Sequence, residues 1–169
     1  MKALVVYESM FGNTEKIARA VADGLAACDV VVADVATMPS TAGMDLLVLG
    51  GPTHAFGLSR LTSRQEATRK GTVRPGAINL GLREYLQKLP KLPGLAAATF
   101  DTRVATPIPL GSASHKAHRR LRGLGCRMLA PAESFLVGGT TGPLADGELD
   151  RARRWAAELP VRLADQRVG

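Results

Sequence analysis

The sequence predicts a three-layered α/β domain, in which a parallel sheet is covered by helices on both sides. Strand-length apolar runs alternate with amphipathic helical stretches along the whole chain. The runs are apolar at consecutive positions rather than alternate ones, which marks strands buried on both faces, the habit of parallel sheets. The length of 169 residues suits one such unit, so residues 1–169 are expected to form a single domain. Hydrophobic residues make up 46% and charged residues 22%, which excludes the apolar poverty of a disordered chain.

The first strand is Ala3 to Tyr7. Its apolar run stops at Glu8 before any cleavage-like site, so it reads as a core strand and not as a leader. In the helix that follows, Ile17, Val21 and Leu25 share a stripe widened by Ala18 and Ala22, and Asn13 is expected to cap it. Val30 to Ala33 and Leu46 to Leu49 are the second and third strands, the latter ending at Gly50-Gly51-Pro52. Between Leu58 and Pro90 come a polar, basic segment from Leu61 to Lys70, a breaker at Pro75-Gly76, and a helix whose face is Leu82, Tyr85, Leu86 and Leu89, with Asn79 as its expected cap. Leu95 to Phe100 is the fourth strand, followed by a loop with Pro107, Pro109 and Gly111. A basic helix is expected from Ser112 to Leu124, with Ala113, Ala117, Leu121 and Leu124 inward. The last strand lies near Ser134 to Val137. After Gly138 to Pro143, a final helix is expected from Gly147 to Leu163, capped by Asp146, with Asp165 to Gly169 fraying. No internal repeat is visible.

In an open parallel sheet ligands bind at the carboxyl ends of the strands, so the turns leaving each strand are where chemistry is expected. After the first strand, Ser9-Met10-Phe11-Gly12-Asn13-Thr14 runs straight into a helix. Its backbone N–H groups and the hydroxyls of Ser9 and Thr14 suit a phosphate held without a lysine or arginine. The same residue types also suit an ordinary capped turn, and spacing alone does not separate the two.

Resemblance separates them. The run Val5-Val6-Tyr7-Glu8-Ser9-Met10-Phe11-Gly12-Asn13-Thr14-Glu15-Lys16-Ile17-Ala18-Arg19-Ala20-Val21 resembles the flavodoxin signature at its defining positions, namely Val5, Val6, Tyr7, Ser9, Gly12, Thr14, Ala18 and Val21. The resemblance implies a flavodoxin-like fold with a five-stranded parallel sheet in the order 2-1-3-4-5. It also implies flavin mononucleotide (FMN) as cofactor, its phosphate in this first loop and its ring between two later loops. At motif level the resemblance is confined to the first 21 residues and, less closely, the end of the third strand; in order of elements it spans nearly the whole chain.

The first of the implied ring loops is Gly51-Pro52-Thr53-His54-Ala55-Phe56-Gly57. Its glycines allow close backbone approach, and His54 or Phe56 is placed to lie against a ring, although a loop histidine also serves local hydrogen bonds and Phe56 also suits a hydrophobic plug. The second is Asp101-Thr102-Arg103, where electron-carrier flavodoxins usually place a tyrosine and this chain has none. Thr102 and Arg103 suit the polar edge of a flavin, and Arg103 would favour its negatively charged reduced form; an Asp/Arg pair closing a surface turn is the other reading.

The formal charge of +7 departs from the acidic character of electron-carrier flavodoxins. If FMN lies beside Arg60, Arg64 or Arg103, Coulomb attraction eases its reduction, which favours a reductase or specialised carrier over a low-potential one. The basic groups carry no interleaved aromatics, which argues against nucleic acid. The first loop has neither G-x-G-x-x-G nor G-x-x-x-x-G-K-[ST], and the chain lacks a G-x-S-x-G elbow. A receiver domain is excluded because the third strand ends in Gly50-Gly51-Pro52 without an aspartate. His115, Lys116 and His118 read as a solvated helix face, and Cys28 and Cys126 as reduced thiols. No run of 18 apolar residues occurs, so no transmembrane segment is expected and a cytoplasmic location is. The expected function is therefore a redox flavoprotein, passing electrons to a partner protein or to a small acceptor such as a quinone. A flavin-free module binding an acidic partner is the alternative.

Overall fold

The computed structural model describes residues 1–54, 57–106 and 111–168. Its elements run β1 (Lys2–Tyr7), α1 (Asn13–Gly24), β2 (Asp29–Asp34), a 3-10 turn (Val35–Thr37), β3 (Leu46–Pro52), α2 (Leu61–Ala67), α3 (Leu82–Lys88), β4 (Ala96–Val104), α4 (Ala113–Gly123), β5 (Arg127–Met128), β6 (Glu133–Val137) and α5 (Glu148–Val168). Every ladder between these strands is parallel, in the order β2-β1-β3-β4 and then a fifth position shared by two segments. There β5 pairs with Ala96 and Ala97 while β6 pairs with Phe100 to Val104, so the expected fifth strand is present in two pieces. Pro131 lies in the gap, where it has no N–H to give a ladder. The order 2-1-3-4-5 and the flavodoxin-like α/β fold are as the sequence implied.

Consecutive residues of a strand point to opposite faces, and because both faces are covered each half of the run has its own core. Ala3, Val5, Leu46, Val48 and Phe100 pack under α1 and α5. Leu4, Val6, Leu47, Leu49 and Ala97 pack under α3 and α4. On the α5 side, Phe100, Phe135 and Trp155 meet edge to face with ring centroids 6.0 to 6.2 Å apart. The Phe100 ring lies directly over Gly50, where a Cβ would fall 1.9 Å from its Cζ. The predicted helical stripes are buried, including Ile17, Val21 and Leu25 on α1 and just after it, and Ala113, Ala117 and Leu121 on α4.

Several local expectations are corrected. The N-cap of α1 is Gly12, with φ +94°, and Asn13 is the first helical residue. The N-cap of α3 is Gly81, not Asn79, because Glu84 reaches back to accept the Gly81 N–H at 3.0 Å. The basic segment after Leu61 contains a short helix, α2. Strand β4 continues to Val104, since Gly51–Pro52 on one side and Ser134 to Val137 on the other supply ladder partners for Asp101 onward. Asp101, Thr102 and Arg103 are thus strand residues rather than a loop. Helix α5 opens at Gly147, whose carbonyl accepts the Arg151 N–H at 2.9 Å, and remains helical to Val168, past the expected fray.

Candidate functional site

The turn after β1 is built by a glycine that only glycine fits well. At φ +94° Gly12 reverses the chain into α1, and its N–H donates to Ser9 Oγ at 3.0 Å, so the Ser9 hydroxyl organises the loop. No side chain caps α1, and the donors of its first turn are left without a side-chain acceptor. The capped-turn reading of Asn13 and Thr14 is therefore not what the loop does. Thr14 Oγ1 is instead hydrogen-bonded to Thr102 Oγ1 at 2.7 Å, both residues buried, which ties the loop to the carboxyl end of β4.

Over this loop opens a cleft of about 220 Å³. The first loop contributes Ser9, Met10, Phe11, Asn13 and Thr14 to its walls. Pro52, Thr53 and His54 enter from the end of β3, and Thr102 and Arg103 from β4. The three turns singled out in the sequence thus converge on one cavity at the carboxyl ends of the parallel strands.

Other expected residues stand elsewhere. Gly12 shapes the loop without lining the cleft, and Gly57 lines a neighbouring cavity. Asp101 does not line the cleft; its Oδ2 accepts from Thr53 Oγ1, from Ser112 Oγ and from the Ser114 N–H, joining the β3 turn to the start of α4. Ala55, Phe56, Pro107 and Pro109 fall outside the described residues.

The cleft also has walls that sequence reasoning missed. Ser63, Glu66, Ala67 and Lys70 come from α2 and the turn after it, and Val137 and Thr140 from the end of β6. The β6 turn carried a signal, being one more strand end rich in glycine. Here Gly142 abuts Asn13, whose Nδ2 would lie 2.7 Å from any Cβ. The α2 residues carried none, because a polar segment shows no apolar periodicity to place it. A long-range contact draws this stretch over the first loop, with Arg74 N–H donating to Met10 O at 3.1 Å and the Arg74 guanidinium paired with Glu15.

The charges of the site are also redistributed relative to expectation. Neither Arg60 nor Arg64 lines the cleft; Arg103 and Lys70 do. Arg64 is fully buried and pairs with Glu84 at 2.6 Å, while its Nη1 donates to Ser59 Oγ. The Ser59 hydroxyl in turn donates to Glu8 Oε1, and the Leu82 N–H donates to Glu8 Oε2 at 2.9 Å. Burial pushes the Glu8 carboxyl above the usual carboxylate range. This interior network anchors the start of the first loop to α2 and α3. His54 is held neutral, its pKa lowered to about 4 by burial first and then by the charges of Arg64 and Lys70. The buried Nε of Arg103 has no hydrogen-bond partner among the described residues.

Among the described residues no group of three or more His, Cys, Asp or Glu could hold a metal ion, and no helix is long and apolar enough to cross a membrane. Cys28 and Cys126 are both free thiols.

Comparison with known proteins places this geometry in context. The flavodoxin family model matches residues 5–155. No curated relative matches the chain. Among solved structures, flavodoxin 1 from Bacillus cereus is similar with a TM-score of 0.67 at 17% identity, covering 95% of this chain and 98% of that one. A flavodoxin from the domain Archaea is similar with a TM-score of 0.65 at 19% identity, covering 97% and 99%. A flavodoxin from Streptococcus pneumoniae gives 0.65 at 20% identity, covering 96% and 99%.

Proposed function

We propose, from the premise that this chain belongs to the flavodoxin family, that it is a redox protein holding FMN in the cleft over the first loop and exchanging electrons with a redox partner. Members of this family bind FMN and transfer electrons to redox partner proteins. One observation carries the reading for this chain: a helix N-terminus with no side-chain cap, on a glycine turn organised by Ser9, at the floor of a cleft whose walls are the other two strand ends.

The residues present fit the cofactor. The uncapped first turn of α1 and the hydroxyls of Ser9 and Thr14 supply neutral donors for a phosphate. Arg103 offers a buried donor without a partner among the described residues, as a site for a polar ring edge needs. In this reading Ser9 to Thr14 bind the phosphate, while Pro52 to Gly57 and Thr102 and Arg103 flank the ring. Asp101 acts through position, by fixing Thr53 against α4.

FMN, when bound, supplies the electron chemistry, and the protein supplies orientation and electrostatics. Arg103 and Lys70 bring positive charge to the cleft, which stabilises negative charge developing there. His54, neutral near pH 7, adds a polar wall without adding charge. No side chain of the cleft is required as an acid or a base. A single domain working in the cytoplasm, with a redox protein or a small acceptor such as a quinone as partner, completes the proposal.

The test is the visible absorption spectrum of the purified protein, before and after adding FMN and removing the excess by gel filtration. Flavin bands near roughly 370 and 450 nm that co-elute with the protein are expected, since the absorption belongs to the cofactor. A colourless protein that retains no added FMN overturns the reading and leaves the flavin-free interaction module. Steady oxidation of a reduced nicotinamide nucleotide with a quinone then marks a reductase, and oxidation only with a partner protein marks a carrier.

A further inference from the structure

A second cavity, of about 270 Å³, shares His54, Ser63 and Glu66 with the flavin cleft, so the two are neighbours across one wall. Three cations from three different elements line it: Arg60 at the entrance to α2, Arg83 on α3 and Lys116 on α4. Glu66 is its one carboxylate. Among the described residues no carboxylate pairs with Arg60, Arg83 or Lys116, although Arg19, Arg64, Arg74, Arg151, Arg153 and Arg162 all have acidic partners.

One of these cations is held in place and another reaches in close beside the backbone. Arg83 donates from Nε to Ser59 O at 3.1 Å and from Nη2 to Leu58 O at 2.8 Å, which fixes the guanidinium plane. Lys116 lies against Gly57, where any Cβ would come within 2.4 Å of Nζ. Gly57 is itself locked to His54 by paired backbone hydrogen bonds of 2.8 and 2.9 Å. Gly57 and the Lys116 ammonium thus lie side by side in the lining of the recess. Three cations against the one carboxylate of Glu66 leave the recess net positive, which favours an entering anion.

We infer that this recess, formed by Arg60, Arg83 and Lys116 beside His54, is an anion subsite that takes the phosphate or diphosphate group of a small-molecule redox substrate. A compact recess with convergent donors suits a phosphoryl group, which accepts on several oxygens at once, better than the flat acidic face of a protein. The inference rests on the flavin reading for the redox role of that substrate, since His54, Ser63 and Glu66 line both the recess and the flavin cleft.

The experiment is calorimetric titration of the FMN-saturated protein with inorganic pyrophosphate, compared among wild type, Lys116→Gln and Arg83→Gln. Wild type should bind, and more weakly as salt is raised. Each substitution should weaken binding about tenfold or more, the loss of one charge-assisted contact, with FMN absorbance unchanged. Lys116 is half-exposed on a helix, so its variant keeps the test valid if Arg83→Gln fails to fold. Absence of pyrophosphate binding, or binding that neither substitution weakens, overturns the subsite. Retention of a glutamate-rich peptide without pyrophosphate binding also overturns it, in favour of a protein partner. The two readings fail separately. A protein that retains no FMN but binds pyrophosphate in a Lys116-dependent way loses the flavin reading and keeps the subsite, whereas a yellow protein indifferent to pyrophosphate does the reverse.

Discussion

Single residues in this protein do different work from what their type suggests. His54 is the clearest case, because burial and two nearby cations lower its pKa from 6.5 to about 4. A histidine in that state refuses a proton that the unfolded chain accepts. Its contribution to stability is therefore present above pH 6.5 and is lost as pH falls from 6.5 towards 4. Urea unfolding midpoints measured from pH 7 to pH 4 should drop more steeply for wild type than for His54→Gln, and the imidazole proton signals should titrate near pH 4. Arg103 differs in kind, since its charge lines the cleft and its Nε lacks a partner among the described residues. Arg103→Gln should lower the midpoint potential of bound FMN, read by equilibration with a reference dye, because positive charge beside a site favours electron uptake. Arg64 looked equivalent in sequence, but its charge is spent on Glu84 inside the protein. Nothing local in the sequence separates the two arginines; their strand and helix neighbours do.

At the scale of elements, the central strands carry the strictest demands. Gly50 on β3 lies under the ring of Phe100 on β4, and a Cβ there would sit 1.9 Å from Cζ. Gly50→Ala should destabilise the fold by about 1 to 3 kcal/mol through overpacking, seen as a lower midpoint in thermal unfolding followed by circular dichroism. The apolar runs of β1, β3 and β4 and the stripes of α1 and α4 were legible in the sequence because burial on a fixed face imposes a period. Element ends were less legible. The prolongation of β4 through Asp101 to Val104 depends on ladder partners at Pro52 and at Ser134 to Val137, distant in sequence. The caps at Gly12 and Gly81 replaced Asn13 and Asn79: the Gly12 N–H bonds Ser9 and the Gly81 N–H bonds Glu84, both three residues away, and a long-range contact to Glu8 is added only at α3. Glu84 and Glu8 receive the donors at α3, and the open turn at α1 faces the cleft.

For the whole molecule, the basic balance of +7 takes on a position. Much of the arginine charge is paired on the surface or inside, yet Arg103 and Lys70 stand at the cleft and Arg60, Arg83 and Lys116 at the recess beside it. A phosphate-bearing ligand would be drawn to this end of the sheet, with an association rate that falls as salt rises.

By itself the sequence determined the fold class, the order of elements and the family, since each is written in local periodicity or in a contiguous motif. Only the tertiary structure decided which charges meet the cleft, that Asp101 braces Thr53 and the start of α4 instead of lining it, and that α2, Lys70 and Thr140 complete its walls. Those facts depend on packing between segments far apart along the chain, and no local pattern records which side chains such packing brings together.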